Sequence, residues 1–120
     1  MVDTLCDEIE LHIACRSLKN LNLIGKSDPV CVLSEFHKKT NSWEAVGQTE
    51  VAKNNLNPDW KPIRMKFFFE KTQKLKFEVF DSDKNKPTKP MGWFETTLSK
   101  IMGKKQQVFE GKLNDGGDKA

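Results

Sequence analysis

Lys74-Leu-Lys-Phe-Glu-Val-Phe80 alternates at every step: Leu75, Phe77 and Val79 fall on one face, Lys76 and Glu78 on the other. Successive side chains leave a β-strand in opposite directions, so this period of two predicts a strand with one buried face. Similar short strands flank it. Towards the N-terminus lie Ile9–Arg16, with Ile9, Leu11, Ile13 and Cys15 on one face, then Val30–Phe36, Trp43–Lys53 with Gly47 as a bulge site, and Arg64–Phe69. Turn chemistry separates them: Lys19–Pro29, the basic loop His37–Ser42, and Asn54-Asn-Leu-Asn-Pro-Asp59. Towards the C-terminus, Asp81–Pro90 reads as a charged loop carrying two prolines. Gly92–Leu98 is a sixth strand, Ser99–Met102 a turn or helical segment, and Val108–Leu113 a seventh strand. No repeat, long helix or βαβ alternation occurs, so the fold class expected is an all-β antiparallel sandwich.

The 120 residues suit a single domain over 1–120, with a core from about 8 to 113 and a flexible polar, Gly-rich tail over 114–120. A net charge of +3 permits attraction to an anionic surface without demanding it, and it is low for a nucleic-acid binder. Cys6, Cys15 and Cys31 form no metal-ligand spacing, and their odd number suits a reduced, cytoplasmic protein. No apolar run approaches the ~18 residues a membrane-spanning helix needs, so any membrane contact is expected to be peripheral. His12 and His37 lie in unrelated segments, with no nucleophile or metal motif beside them and no phosphate-cradling glycine loop, which argues against an enzyme.

Ser27-Asp-Pro29 opens one strand, Phe80-Asp-Ser-Asp83 closes a later one, and Asn57-Pro58 stands between them. These segments resemble the C2 domain. Gly47–Val51, Asn54–Pro58, Phe68–Lys71 and Leu75–Asp81 resemble more narrowly the first, N-terminal C2 domain of copines, over roughly Glu8 to Leu113. The resemblance implies an eight-stranded Greek-key sandwich, of which seven strands are visible here. It also implies a calcium site built from loops at one end.

That site carries five acidic positions in the family pattern. Asp28, Asp81 and Asp83 match three of them, while Asn22 and Lys89 stand at the other two. Calcium takes 6–8 oxygen ligands, largely carboxylates, at roughly 2.3–2.6 Å. Asn22 still offers one neutral oxygen and is a weak candidate. Lys89 offers none when protonated, and like charges about 4 Å apart repel by up to roughly 4 kcal/mol at an effective dielectric near 20. Lys19–Pro29 and Asp81–Gly92 each net +1, where an empty calcium cup should be acidic. Calcium binding is therefore expected to be weak, lipid-assisted or absent. An EF-hand over Asp81–Gly92 is ruled out, because Lys86 stands where glycine is needed and Gly92 where the bidentate glutamate belongs.

Lys84, Lys86 and Lys89 are candidates for direct contact with lipid phosphates, at about 1 kcal/mol per cation near an anionic leaflet. Leu23 and Ile24 have two readings, an inserting loop tip or the rim of the core. Lys53, Arg64 and Lys66 fall near a second basic patch that the family often carries. Trp60 reads as core before interfacial aromatic. The expected function is a peripheral membrane-binding module of copine type on acidic phospholipids, monomeric by itself and without a nucleic-acid partner. The alternative is a calcium-independent protein-interaction or structural module of a larger copine-like protein.

Overall fold

Leu33 and Leu75 are completely buried and Val79 is 1% exposed, so the apolar face of the alternating strand does form the centre of a core. In the computed structural model of the chain, residues 6–21, 25–68, 71–103 and 109–114 are described. Six strands and one short helix occur among them: β1 (Cys6–Leu11), β2 (Pro29–His37), β3 (Ser42–Gln48), β4 (Ile63–Phe68), β5 (Lys74–Asp83), β6 (Lys86–Thr97) and α1 (Leu98–Met102). β1 pairs with β4 in a two-stranded sheet, and the other four form a sheet in the order β3-β2-β5-β6. All these pairings are antiparallel. The all-β sandwich expected from the patterning is the observed architecture.

Two apolar clusters fill the space between the sheets. Leu11 and Ile63 from the small sheet meet Leu33 and Leu75 from the large one, and Leu98 of α1 closes that end. The second cluster joins Leu18, Cys31, Trp60, Val79 and Met91 towards the opposite end. Trp60 is 4% exposed, and its indole N–H donates to the Pro29 carbonyl at 3.3 Å, which satisfies the one polar atom its burial would strand. Trp60 is core.

Several boundaries differ from the expectation. β1 begins earlier and ends at Leu11; beyond it the chain is held by the 58–60 segment, through Cys15 N–H to Pro58 O and Trp60 N–H to Ile13 O, both 3.0 Å. β3 stops at Gln48 rather than Lys53. Leu33 pairs with Gly47 and Ser34 with Ala45, so Val46 is a bulge residue, next to the glycine expected to make one. Asp81–Pro90 is largely strand: β5 runs on to Asp83 and β6 starts at Lys86. Lys84 and Asn85, with φ of 54° and 66°, form a two-residue turn with both central residues left-handed, the type that matches strand twist. Residues 109–113 of the seventh predicted strand carry no strand, but Asn114 exchanges two backbone hydrogen bonds with Trp93 at 2.7 and 2.8 Å. Phe69, Val108 and the tail over 115–120 lie outside the described residues.

Register fixes which features share an end of the sandwich. Pro29 is opposite Asp81, whereas six residues along β2 Glu35 is opposite Leu75. The mouth of β2, the D-x-D segment and the β5–β6 turn therefore lie together at one end.

Candidate functional site

Pro29 opens β2, and a residue before proline favours extended backbone, so Asp28 stands at the strand mouth. Its carbonyl accepts from Ser82 N–H at 3.0 Å, and its N–H donates to the Asp81 carboxylate at 2.9 Å. The Asp28 carboxylate in turn accepts from Asn54 N–H at 2.7 Å. One chain of hydrogen bonds thus ties three connections: the loop before β2, the Asn-rich segment after β3, and the β5–β6 hairpin. Ser27, completely buried, fixes the first of these by accepting from Leu21 N–H at 2.8 Å while its own N–H donates to the Asn20 carboxamide at 3.0 Å.

Asp81 is 4% exposed and needs its Asp28 partner, because an unsatisfied buried carboxylate is costly. Asp83, one pleat further on, is exposed with Lys84, Lys86 and Lys89. Across the hairpin Asp83 is opposite Lys86, and Asp81 opposite Lys89. Such opposed charges stabilise a strand pair by about 0.2–1 kcal/mol. Among the described residues none of these three ammonium groups closes to ion-pair distance, so they present unneutralised charge to solvent. Ser82 pairs with Pro87, leaving Thr88 as a second bulge residue on β6, its hydroxyl donating to the Lys86 carbonyl at 2.9 Å. Asp28, Asp81, Ser82, Asp83, Thr88 and Lys89 line a cleft of about 340 Å³.

The structure therefore brings together Asp28, Asp81, Asp83 and Lys89, with Lys84 and Lys86 on the adjoining tip. It adds Asn54, Ser82 and Thr88, which residue patterning had not singled out. Lys53 belongs to the turn next to Asn54, at this same end. Arg64 and Lys66 stand exposed on β4 in the other sheet, and Glu10 lies 3.4 Å from the Arg64 guanidinium. Asn22, Leu23 and Ile24 lie outside the described residues.

A calcium ion would have to be held by the carboxylates of this cleft. Among the described residues no three of the His, Cys, Asp and Glu side chains gather closely enough to hold one ion. One oxygen each of Asp28 and Asp81 is already engaged by a backbone N–H, and Lys89 lines the same space. As built, these residues do not form a self-sufficient calcium cage. No described helix is long and apolar enough to cross a membrane.

Comparison with known proteins places this geometry. The family model for the C2 domain matches residues 9–113. Copine-E of Dictyostelium discoideum is 33% identical over 120 residues, covering 93% of this chain and 20% of that protein. Copine-B of the same organism is 38% identical over 106 residues, covering 80% and 20%. Nicotinic receptor-associated protein 1 of Caenorhabditis elegans is 33% identical over 118 residues, covering 78% and 18%. The chain thus spans about a fifth of the length of these relatives. Among solved structures, BON1-C2B superposes with a TM-score of 0.67 at 30% identity, covering 79% of this chain and 67% of that one. A C2 domain of plant Extended Synaptotagmin 1 gives 0.60 at 25% identity, covering 78% and 69%.

Proposed function

The chain belongs to the C2 domain family, and from that premise we propose that it is a peripheral module, similar to those of copines, that docks on acidic phospholipids through the β5–β6 end with weak or altered calcium dependence. The observation that carries this reading is the hairpin tip: Lys84, Lys86 and Lys89, all exposed, on a two-strand projection that continues past the last β2 partner at Pro29. Three cations reaching an anionic leaflet together contribute about 3 kcal/mol, or roughly a hundredfold in affinity. Lys53, on the turn beside Asn54, adds to the same field. Leu23 and Ile24, outside the described residues, keep lipid contact as their proposed part. Anionic lipid is concentrated on the cytoplasmic leaflet, and the location that fits is cytoplasmic, at the membrane surface. The single domain is taken to run over 1–120. Asp28, Asp81 and Asp83 serve first to hold the loops in place and second, in concert with lipid phosphate, as calcium ligands. Binding, not catalysis, is the activity assigned.

Co-sedimentation with phosphatidylserine-containing vesicles tests this, with calcium and with chelator. Salt-sensitive binding in both conditions, reduced roughly a hundredfold when Lys84, Lys86 and Lys89 are replaced by Gln, is the expected result. Binding that ignores the triple replacement refutes the hairpin assignment. Absence of binding in both conditions favours the second reading, a protein-interaction module. For that reading the outer face of the large sheet speaks: Phe36 and Trp43 meet edge to face at 5.4 Å, with the Lys74 and Lys76 ammonium groups 5.0 and 4.6 Å over their rings.

A further inference from the structure

Thr88 is the residue of the hairpin that the docking reading leaves unused. It is exposed, it is the surplus residue of a β-bulge, and its hydroxyl has one hydrogen bond, to the carbonyl two residues back. Bulge residues are left out of the ladder, so Thr88 is not held by cross-strand pairing. Pro87 and Pro90 flank it, and neither has an N–H to recruit a further strand onto this edge. Residues 86–90 are exposed along their length on an edge strand whose described sheet neighbour is β5, so a kinase has only that one ladder to open to take the segment into its groove. Lys84, Lys86 and Lys89 surround the hydroxyl in sequence, so the groove that takes this segment is an acidic one.

We propose that Thr88 is a phosphorylation site for a serine/threonine kinase that prefers basic substrates, and that its modification releases the module from anionic membranes. This rests on the docking reading above, whose regulation it supplies. In the transfer the Thr88 oxygen bonds to the γ-phosphorus of ATP, the bond from that phosphorus to the β–γ bridging oxygen breaks, and ADP departs. The hydroxyl proton passes to the kinase's base. The product carries about two negative charges. Asp81–Gly92 nets +1 before the transfer and about −1 after it. The new phosphate also stands in the cleft lining beside Lys89, where it competes with lipid phosphate for that ammonium group. The loss corresponds to about two lysine contacts, a roughly 30-fold weaker association with acidic vesicles.

The test incubates the purified full chain with a recombinant basophilic kinase and Mg-ATP, locates the phosphate by peptide mass spectrometry, and then compares modified and unmodified protein by co-sedimentation with mixed phosphatidylserine–phosphatidylcholine vesicles. Modification at Thr88, its absence from Thr88→Ala, and a roughly 30-fold loss of vesicle affinity are expected. Phosphate found at Thr40 or Thr72 in place of Thr88 overturns the site. A Thr88-phosphorylated chain that binds vesicles as the unmodified one does overturns the switch. If the unmodified chain does not bind vesicles, the docking reading and the switch fall together, while the mass spectrum still decides the site independently.

Discussion

Replacing Lys89 by Asp should convert the cleft into a calcium site. Lys89 is the direct partner of Asp81, so its Cβ stands about 4.5–5.5 Å from that of the aspartate, and it shares the cleft lining with Asp28 and Asp83. An ion held at Asp81 would lie about 6 Å from the charge at position 89, given the reach of either side chain. Because residue 89 is exposed, the dielectric of water is the appropriate one. Changing the charge there from +1 to −1 alters its interaction with a dication by about 3 kcal/mol, a gain of roughly a hundredfold even before a new carboxylate oxygen enters the coordination shell. Calcium titration by calorimetry reads this directly, with terbium luminescence as a second probe. Lys89→Gln, which removes the positive charge without adding a ligand, should give about half the free-energy gain. If Lys89→Asp binds calcium no more tightly than the native chain, Lys89 does not set the cation affinity of this cleft, and the reasoning from hairpin register fails.

Asp81→Ala should cost about 1–3 kcal/mol in denaturant unfolding, because it strands the Asp28 N–H; Asp81→Asn keeps an acceptor there and should cost less. At Gly47 an added Cβ would lie 2.7 Å from the Ile63 Cγ2, on a buried β-branched side chain with little freedom to move, so Gly47→Ala should destabilise by about 1–3 kcal/mol. Burial pushes the thiols of Cys15 and Cys31 up to about 11 and about 12. Both stay protonated in the folded chain while the unfolded chain ionises near 9.0. Their contribution to stability is therefore intact below pH 9 and lost as pH rises to about 12, which unfolding midpoints in alkaline buffers should show. At neutral pH a thiol reagent should reach Cys31, which is completely buried, only when the fold opens.

The core was legible because burial writes itself into alternation: Leu75, Phe77 and Val79 on one face of a strand, and Leu11 on another, are placed by period alone. Asp28, Asp81 and Asp83 could be named in advance through their motifs, and register then brings them to one end. Less visible was the hairpin. Lys84 to Pro90 is rich in lysine and proline, residues that strand propensity disfavours, and only the paired outer end of β5 shows why they are extended. Prolines are tolerated there because β6 is an edge strand. Thr88 had no local signal at all, since a bulge is a property of two strands in register and not of either sequence. The Asn54 contact is similar: a backbone N–H from a distant turn has no side-chain signature.

The two surplus residues of β6, Met91 and Thr88, have a consequence for how such a module diversifies. Each absorbs one residue of length on one side of the hairpin without altering which side chains the rest of β6 turns inward. Gly92–Thr97 can keep their register on Lys74–Val79 whatever the number of residues beyond them. The tip can therefore be lengthened, shortened or recharged as a cassette, with little cost passed to the core. A change of target surface then needs no new fold and few substitutions, which makes the hairpin the part of this chain most open to evolutionary and engineered retargeting.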